Sequence, residues 1–294
     1  MNVGFVGLGR MGSGMAGRVL EAGHDLVVFD VLPQNTARVA AAGARAASSL
    51  TELCAGRDVV ITMLAEEAAV DAVVFGQGGL RDALPPGAIH LAMGTYGIGT
   101  IRALGAAHAA AGQILVAAPV LGRPDLAASG QLGIVTGGPA EALERCEPLL
   151  SVIGRLTFHA GSEPEAASAI KLANNLVLGC AIQAMGEAFA LVRKYDVQPQ
   201  VLFDVMTEGL FSAPAYKVYG KIIVDESYER AGSTIALNLK DANLIIGAGD
   251  LARVPLPSGN TFRDRLLSAI AHGDADKDVA ALALEQARAC GLAS

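Results

Sequence analysis

An α/β fold is what this 294-residue sequence predicts: a mostly parallel sheet wrapped by helices, then an all-helical domain entered through one long helix. Three observations carry that expectation. Short β-branched runs alternate with longer helical patterns through the first half, and parallel strands need such crossover connections. The strand signal ends near Gly161, and everything after it has helical spacing. Length allows about two domains, placed here at 1–162 for the sheet domain and 163–294 for the helical one.

In chain order the strands are expected at 2–6, 25–29, 58–64, 88–93, 114–120, 132–135 and 156–159, each a short apolar or β-branched run bounded by glycine, proline or charge. Helical patterns fall between them at 11–22, 33–41, 66–74, 100–111 and 139–153. An unusually long helix follows at 163–195, then helices at 199–207, 213–223, 237–250, 259–272 and 277–289. No internal repeat or low-complexity linker interrupts them.

Composition narrows the partners. Hydrophobic residues make up 52% and charged residues 17%, which argues against disorder. A formal charge of -7 builds no field for a nucleic-acid backbone or an anionic membrane, so a small molecule is the expected partner. Cys54, Cys146, Cys180 and Cys290 are scattered without metal-ligand spacing and are expected as reduced, buried thiols. The segment 166–192 is apolar enough to suggest a membrane span, but Lys171, Asn174, Asn175, Gln183 and Glu187 sit in its middle. A soluble, cytoplasmic protein is expected. His24, His90, His108, His159 and His272 show no pairing spacing and read as packed or exposed side chains; no metal site is indicated. Glu66 and Glu67 read as a favourable first-turn pair on a helix.

The first strand runs straight into Gly7-Leu8-Gly9-Arg10-Met11-Gly12, where a helix opens. Gly7 suits the tight turn, Gly9 the close approach of backbone N–H groups to a pyrophosphate, and Gly12 the packing of helix on strand. The positive end of the helix dipole adds to the attraction. A second strand ends at Asp30, where a carboxylate can accept hydrogen bonds from an adenosine ribose. This is a Rossmann-type dinucleotide signature. The carboxylate repels a 2′-phosphate, and Val31-Leu32-Pro33 supply no arginine to neutralise one, so NAD is favoured over NADP. Asp30 could instead cap the helix beginning near Pro33, which would leave that choice open.

On the long helix, Lys171-Leu172-Ala173-Asn174-Asn175 places an ammonium and two carboxamides on one face. Such a set can donate a proton and orient a carbonyl in a cleft, or it can be a solvated helix face.

GFVGLGRMG at the start, MLAEEAAVDAVVFGQGG from Met63 and Leu64, APV around Pro119, KLANN at Lys171 and LNLKD at Lys240-Asp241 together resemble the β-hydroxyacid dehydrogenase family over essentially the whole chain. That resemblance implies a nicotinamide-dependent hydride transfer between a small hydroxy acid and its oxo acid or semialdehyde. It implies Lys171 as general acid or base, Asn175 and Asn174 at the substrate, and Met63, Leu64, Thr95 and Lys240 lining the cofactor cleft. It also implies a homodimer or homotetramer. The phosphogluconate branch has His where Asn174 stands, and imine reductases usually lack the lysine.

Two departures bear on substrate. The family's DAPVSGG loop is here Ala117-Ala118-Pro119-Val120-Leu121-Gly122-Arg123, without its Asp, its Ser and one Gly. The family's Asp-x-Ser-Thr is here Ala92-Met93-Gly94-Thr95. Arg123 is the candidate to grip a substrate carboxylate in place of the lost serine, beside Gly122 and the apolar Leu121. Two rival readings follow: reduction of a neutral aldehyde, ketone or imine, and, outside enzymes, a dinucleotide-bound sensor.

Overall fold

The computed structural model describes residues 1–292. It divides into two compact units, Met1–Lys171 and Leu172–Ser294.

The first unit opens with β1 (Asn2–Val6), α1 (Gly12–Glu21), β2 (Asp25–Phe29), α2 (Pro33–Ala40), β3 (Arg45–Ala46) and α3 (Leu50–Cys54). It continues with β4 (Val59–Thr62), α4 (Glu67–Phe75), α5 (Leu80–Ala83), β5 (Ile89–Ala92), α6 (Ile98–Ala110) and β6 (Ile114–Ala117). After these come β7 (Val120–Leu121), α7 (Pro124–Ala128), β8 (Leu132–Gly137), α8 (Ala140–Ile153) and β9 (Gly154–Gly161). The strand order is β3-β2-β1-β4-β5-β6-β8-β7, with β9 on the free side of β8. Neighbours from β3 to β6 pair parallel, whereas β8 runs antiparallel to β6 and β7.

Side-chain alternation explains the two cores. Val59 and Ile61 of β4 enter one cluster with Met15 and Val19 of α1 and Leu149 of α8. Val60 points to the other face, among Val70 and Val74 of α4 and Ile101 and Leu104 of α6. A strand covered on both faces reads as a continuous apolar run, which is why these were legible.

The structure departs from the expected elements in specific places. The expected strand 114–120 stops at Ala117 because Pro119 has no N–H to give; its carbonyl still accepts from Val135 N–H at 3.1 Å, and pairing resumes as β7. Strand β3 and helices α3, α5 and α7 were not anticipated, since two to five residues are too few to show a period. The division between units falls inside the long helix rather than at its start. Its first turns belong to the sheet unit: Ala167 is buried in the core, and a Cβ on Gly137 would lie 2.7 Å from Glu163 O.

The second unit is helical: α9 (Pro164–Lys194) from Leu172 onward, α10 (Pro199–Glu208), α11 (Pro214–Val224), α12 (Ile235–Ala252), α13 (Pro257–Ala271) and α14 (Leu282–Ala289). Proline opens four of these helices, where its missing N–H costs nothing. Ile182, Met185 and Phe189 of α9 pack with Phe262 and Leu266 of α13. Length and composition alone would let α9 cross a membrane. The buried carboxylates of Asp274 and Glu285 are held by Arg288, Lys277 and Ser268, and these donors keep both carboxyls below the ordinary range against the opposing effect of burial. Cys54 and Cys146 are buried, with burial pushing their thiols up to about 12; Cys180 and Cys290 are half-buried.

The histidines hold a pairing that spacing does not reveal. His90 of β5 and His108 of α6 are both fully buried, with His90 Nδ1 2.8 Å from His108 Nε2. Gln113 settles the protons. Its Nε2 faces the carbonyls of Leu80, Arg81 and Leu84, so its Oε1 must accept, at 2.6 Å, from His108 Nδ1–H. His108 Nε2 then accepts from His90 Nδ1–H, and His90 Nε2 accepts from the Thr62 hydroxyl at 2.9 Å. Both imidazoles are neutral, and burial holds both below the usual histidine range. They take up protons only on unfolding, so the stability they contribute is complete above about pH 6.5 and is lost as pH falls below it. Each adds a slope approaching about 1.4 kcal/mol per pH unit there. Calorimetric melting should show Tm falling steeply between about pH 6.5 and 5. Replacing both histidines by leucine together with Thr62→Val should flatten that fall; an unchanged slope would remove the pair from the account.

Candidate active site

Parallel strands put their carboxyl ends on one edge, and that edge gathers the expected dinucleotide residues. Backbone bonds stitch them together: Gly7 N–H to Phe29 O (3.0 Å), Met63 N–H to Val6 O (2.9 Å), Met93 N–H to Thr62 O (2.9 Å) and Ala118 N–H to Ala92 O (2.8 Å). The chain leaves β1 toward β2 on one side and returns to β4 on the other, which opens a crevice above β1.

The three glycines differ as their expected roles require. Gly7 has φ +92°, and a Cβ there would lie 2.5 Å from Met63 O. A Cβ on Gly12 would come within 1.9 Å of Gly7 O, so helix α1 can start this close to β1 only without one. Around Gly9 no atom lies within 4 Å of the corresponding position. That open space at a helix N-terminus fits a pyrophosphate. Arg10 is exposed and Met11 half-buried against the core; Leu8 is fully buried. Leu8 can therefore face a ligand with backbone alone, and its N–H is given to Asp30 Oδ2 at 2.6 Å.

Asp30 also accepts from Leu32 N–H (2.8 Å) and the Asn35 amide (3.3 Å), so it organises the turn into α2 as well as the phosphate loop. Arg38 went unnoticed in the sequence because it lies a helix turn beyond the expected position. Its Nη2 donates to Leu8 O at 3.0 Å, so both halves of the Leu8 backbone are held by side chains.

Further along the edge, Met63 packs toward one core and Leu64 toward the other, while Thr95 is half-buried. Glu67 does more than begin a helix: its Oε1 accepts from Gly97 N–H (2.9 Å) and Thr100 Oγ1 (2.5 Å), joining the turn after β4 to the turn after β5.

Leu121 lies in β7 opposite Gly133 and packs its side chain on it. Gly122 has φ +146°, and a Cβ there would meet Leu132 Cδ2 at 2.6 Å, so packing already demands this glycine. Arg123 stands at the start of α7, which rests on α1 where Gly14 meets Ala128.

Lys171 and Asn175 are one turn apart on α9, both half-buried, with Asn174 exposed beside them. In the second unit Asn175 Nδ2 donates to Asp241 Oδ2 (2.8 Å), and Lys240 Nζ lies 2.9 Å from Asp241 Oδ1. Asp241 was visible only as part of LNLKD; it is the group that ties Asn175 to Lys240.

The first unit matches, over residues 2–161, the family model described as the NAD binding domain of 6-phosphogluconate dehydrogenase. Residues 166–285 match the model described as NAD-binding of NADP-dependent 3-hydroxyisobutyrate dehydrogenase. An L-threonate dehydrogenase of Cupriavidus necator is 32% identical, covering 96% of this chain and 94% of its own. The chain belongs to the β-hydroxyacid dehydrogenase family. An uncharacterized oxidoreductase of Bacillus subtilis is 38% identical to this β-hydroxyacid dehydrogenase, over 96% of this chain and 98% of that one. A Mycobacterium tuberculosis 3-hydroxyisobutyrate dehydrogenase, solved with L-serine, superposes with a TM-score of 0.88 at 29% identity, over 96% and 98% of the two chains. This family member is an NAD(P)-dependent oxidoreductase.

The glycine geometry separates binding from folding. Gly12→Ala should cost stability, lowering Tm by about 5–10 °C through the clash with Gly7 O. Gly9→Ala should leave Tm within about 2 °C yet weaken dinucleotide affinity at least about tenfold, because the added methyl enters the ligand's space. Calorimetric melting and titration of both variants check this, and equal effects on the two measurements would contradict it.

Proposed function

We propose that this enzyme interconverts a small hydroxy acid with its oxo acid or semialdehyde, with Lys171 as the general acid or base. The observation that carries this is the Lys171–Asn175 pair on one face of α9, with Asn175 braced by Asp241 and Lys240. When bound, the nicotinamide supplies or accepts the hydride. In the reductive direction the Lys171 ammonium gives its proton to the substrate oxygen as that oxygen gains charge; in the oxidative direction the free amine takes it back. Asn175 spends one amide N–H on Asp241, which aims the rest of the carboxamide at the substrate and limits its rotation. Lys240, paired with Asp241, lines the same helical site, and Asn174 extends it. The relatives' substrates, threonate and 3-hydroxyisobutyrate among them, set the chemical class.

Arg123 is the proposed grip for the substrate carboxylate. A guanidinium offers a two-pronged donor where the packed Leu121 offers none. That same loss of a hydroxyl favours the second reading, reduction of uncharged carbonyls or imines. For the phosphate loop, backbone N–H groups of Gly9, Arg10 and Met11 hold the pyrophosphate, and Met63, Leu64 and Thr95 flank the nicotinamide half. NAD is the proposed cofactor. Asp30 keeps a lone pair on Oδ2 for a ribose hydroxyl and repels a 2′-phosphate. Arg38 and the NADP-dependent description of the second matching model support the opposite preference.

A cytoplasmic homo-oligomer, dimer or tetramer, is proposed from the exposed apolar side chains of the second unit, Val177, Val201, Val205 and Leu210 among them. Light scattering that gives a monomer at micromolar concentration would contradict it.

A single kinetic and calorimetric series tests the rest. Wild-type enzyme should oxidise NADH with oxo acids or semialdehydes, and NADH should bind tighter than NADPH by about 1–2 kcal/mol. Lys171→Ala should lose about 10²–10⁴-fold in kcat with NADH affinity nearly intact. Arg123→Ala should raise KM for acids by the equivalent of about 1.5–3 kcal/mol and leave neutral aldehydes unaffected. Retention of a third of kcat without Lys171, or NADPH binding as tightly as NADH, would overturn the corresponding assignment.

A further inference from the structure

The turn after β5 departs from the family's Asp-x-Ser-Thr at Gly94, and the structure shows why a side chain is missing there. A Cβ on Gly94 would lie 2.3 Å from the hydroxyl of Tyr96, 2.4 Å from its Cζ and 2.6 Å from Leu64 O. The space of a residue-94 side chain is taken by a hydroxyl that arrives from two residues later. Tyr96 is 1% exposed, its ring lies in the core with Val6 and Val60, and its hydroxyl donates to Leu64 O at 3.1 Å. Thr62 is a second polar neighbour of that phenol, and Thr62 is itself anchored to His90 at 2.9 Å. Tyr96 in this position therefore requires glycine at residue 94.

What this coupled pair controls is the spacing of two turns. Leu64 O belongs to the turn after β4, and that turn bears on the phosphate loop, since Met63 O and Leu64 Cδ2 both crowd Gly7. Gly94 and Thr95 belong to the turn after β5. Along the sheet edge Asp30 marks the adenosine end and Gly9 the pyrophosphate, which leaves the β4 and β5 turns beneath the nicotinamide half. Tyr96 joins those turns from within, and Glu67 joins them from outside through Gly97 and Thr100.

We propose that Tyr96 is a positioning residue for the nicotinamide half of the cofactor, its hydroxyl standing in for a residue-94 side chain and clamping the Leu64 carbonyl so that the two turns form one rigid floor. The phenol touches neither hydride donor nor substrate; it acts through the Leu64 and Gly94 backbone. Burial raises its pKa, so it remains a donor across the working pH range. The inference rests on the dinucleotide lying along this carboxyl edge, as proposed above.

Tyr96→Phe keeps the ring and removes the clamp. NADH and ADP are titrated calorimetrically into wild type and variant, because ADP occupies only the adenosine and phosphate end. Wild type that binds neither ligand overturns the dinucleotide reading itself and this inference with it. With wild-type binding in hand, the variant should bind NADH about five- to tenfold more weakly, the scale of one lost hydrogen bond, with ADP affinity unchanged and Tm within about 2 °C. NADH affinity equal to wild type overturns the proposal, and so does a parallel loss of NADH and ADP affinity, which marks a general structural role.

Discussion

The contact between Gly12 and the carbonyl of Gly7 is the constraint on which the sheet unit turns. With a would-be Cβ only 1.9 Å from that oxygen, α1 can begin against β1 in no other way than through glycine. Because α1 starts there, its first peptide N–H groups open into the space over Gly9, and its opposite side reaches Ala128 across Gly14. Helix α7, which follows Arg123, is thereby seated on α1. One close backbone approach thus sets both the start of α1 above the glycine loop and the seat of α7 on its flank.

Electrostatics complete what packing begins. Asp30 and Arg38 hold the N–H and the carbonyl of Leu8, one from the end of β2 and one from α2. A loop restrained through both backbone polar groups of one residue has little conformational freedom left to lose when a ligand arrives, and preorganisation of that kind is where binding energy is conserved. Asp241 performs the corresponding service in the helical unit for Asn175 and Lys240.

How much of this could be read beforehand depended on whether a residue acts through its neighbours in sequence or through distant ones. The strands at Asn2–Val6 and Asp25–Phe29, the glycine loop and the long helix are local patterns, and the sequence displays them directly. Leu121 and Gly122 were legible as a departure but not as packed residues, since Gly133 and Leu132, which they meet, lie a strand away. The roles of Arg38 and Tyr96, and of Asp241 beyond its place in LNLKD, were hidden for the same reason: Leu8, Leu64 and Asn175, which they hold, are 30, 32 and 66 residues off. The compact units divide at Lys171, inside the long helix, whereas the matching family models end at residue 161 and begin at 166, and helical periodicity continues smoothly through the stretch between.

The polar row from Thr62 through His90 and His108 to Gln113 carries a historical consequence. Every member has one donor facing one acceptor, so the row is satisfied only when complete. Losing a single member strands a polar atom in a dry interior, a worse state than four apolar side chains. Lineages bearing the row are therefore separated from those with a wholly apolar layer by a valley that single substitutions cross at a loss. Related sequences should carry these four residues all together or scarcely at all, and intermediate combinations should be found where a compensating change sits beside them.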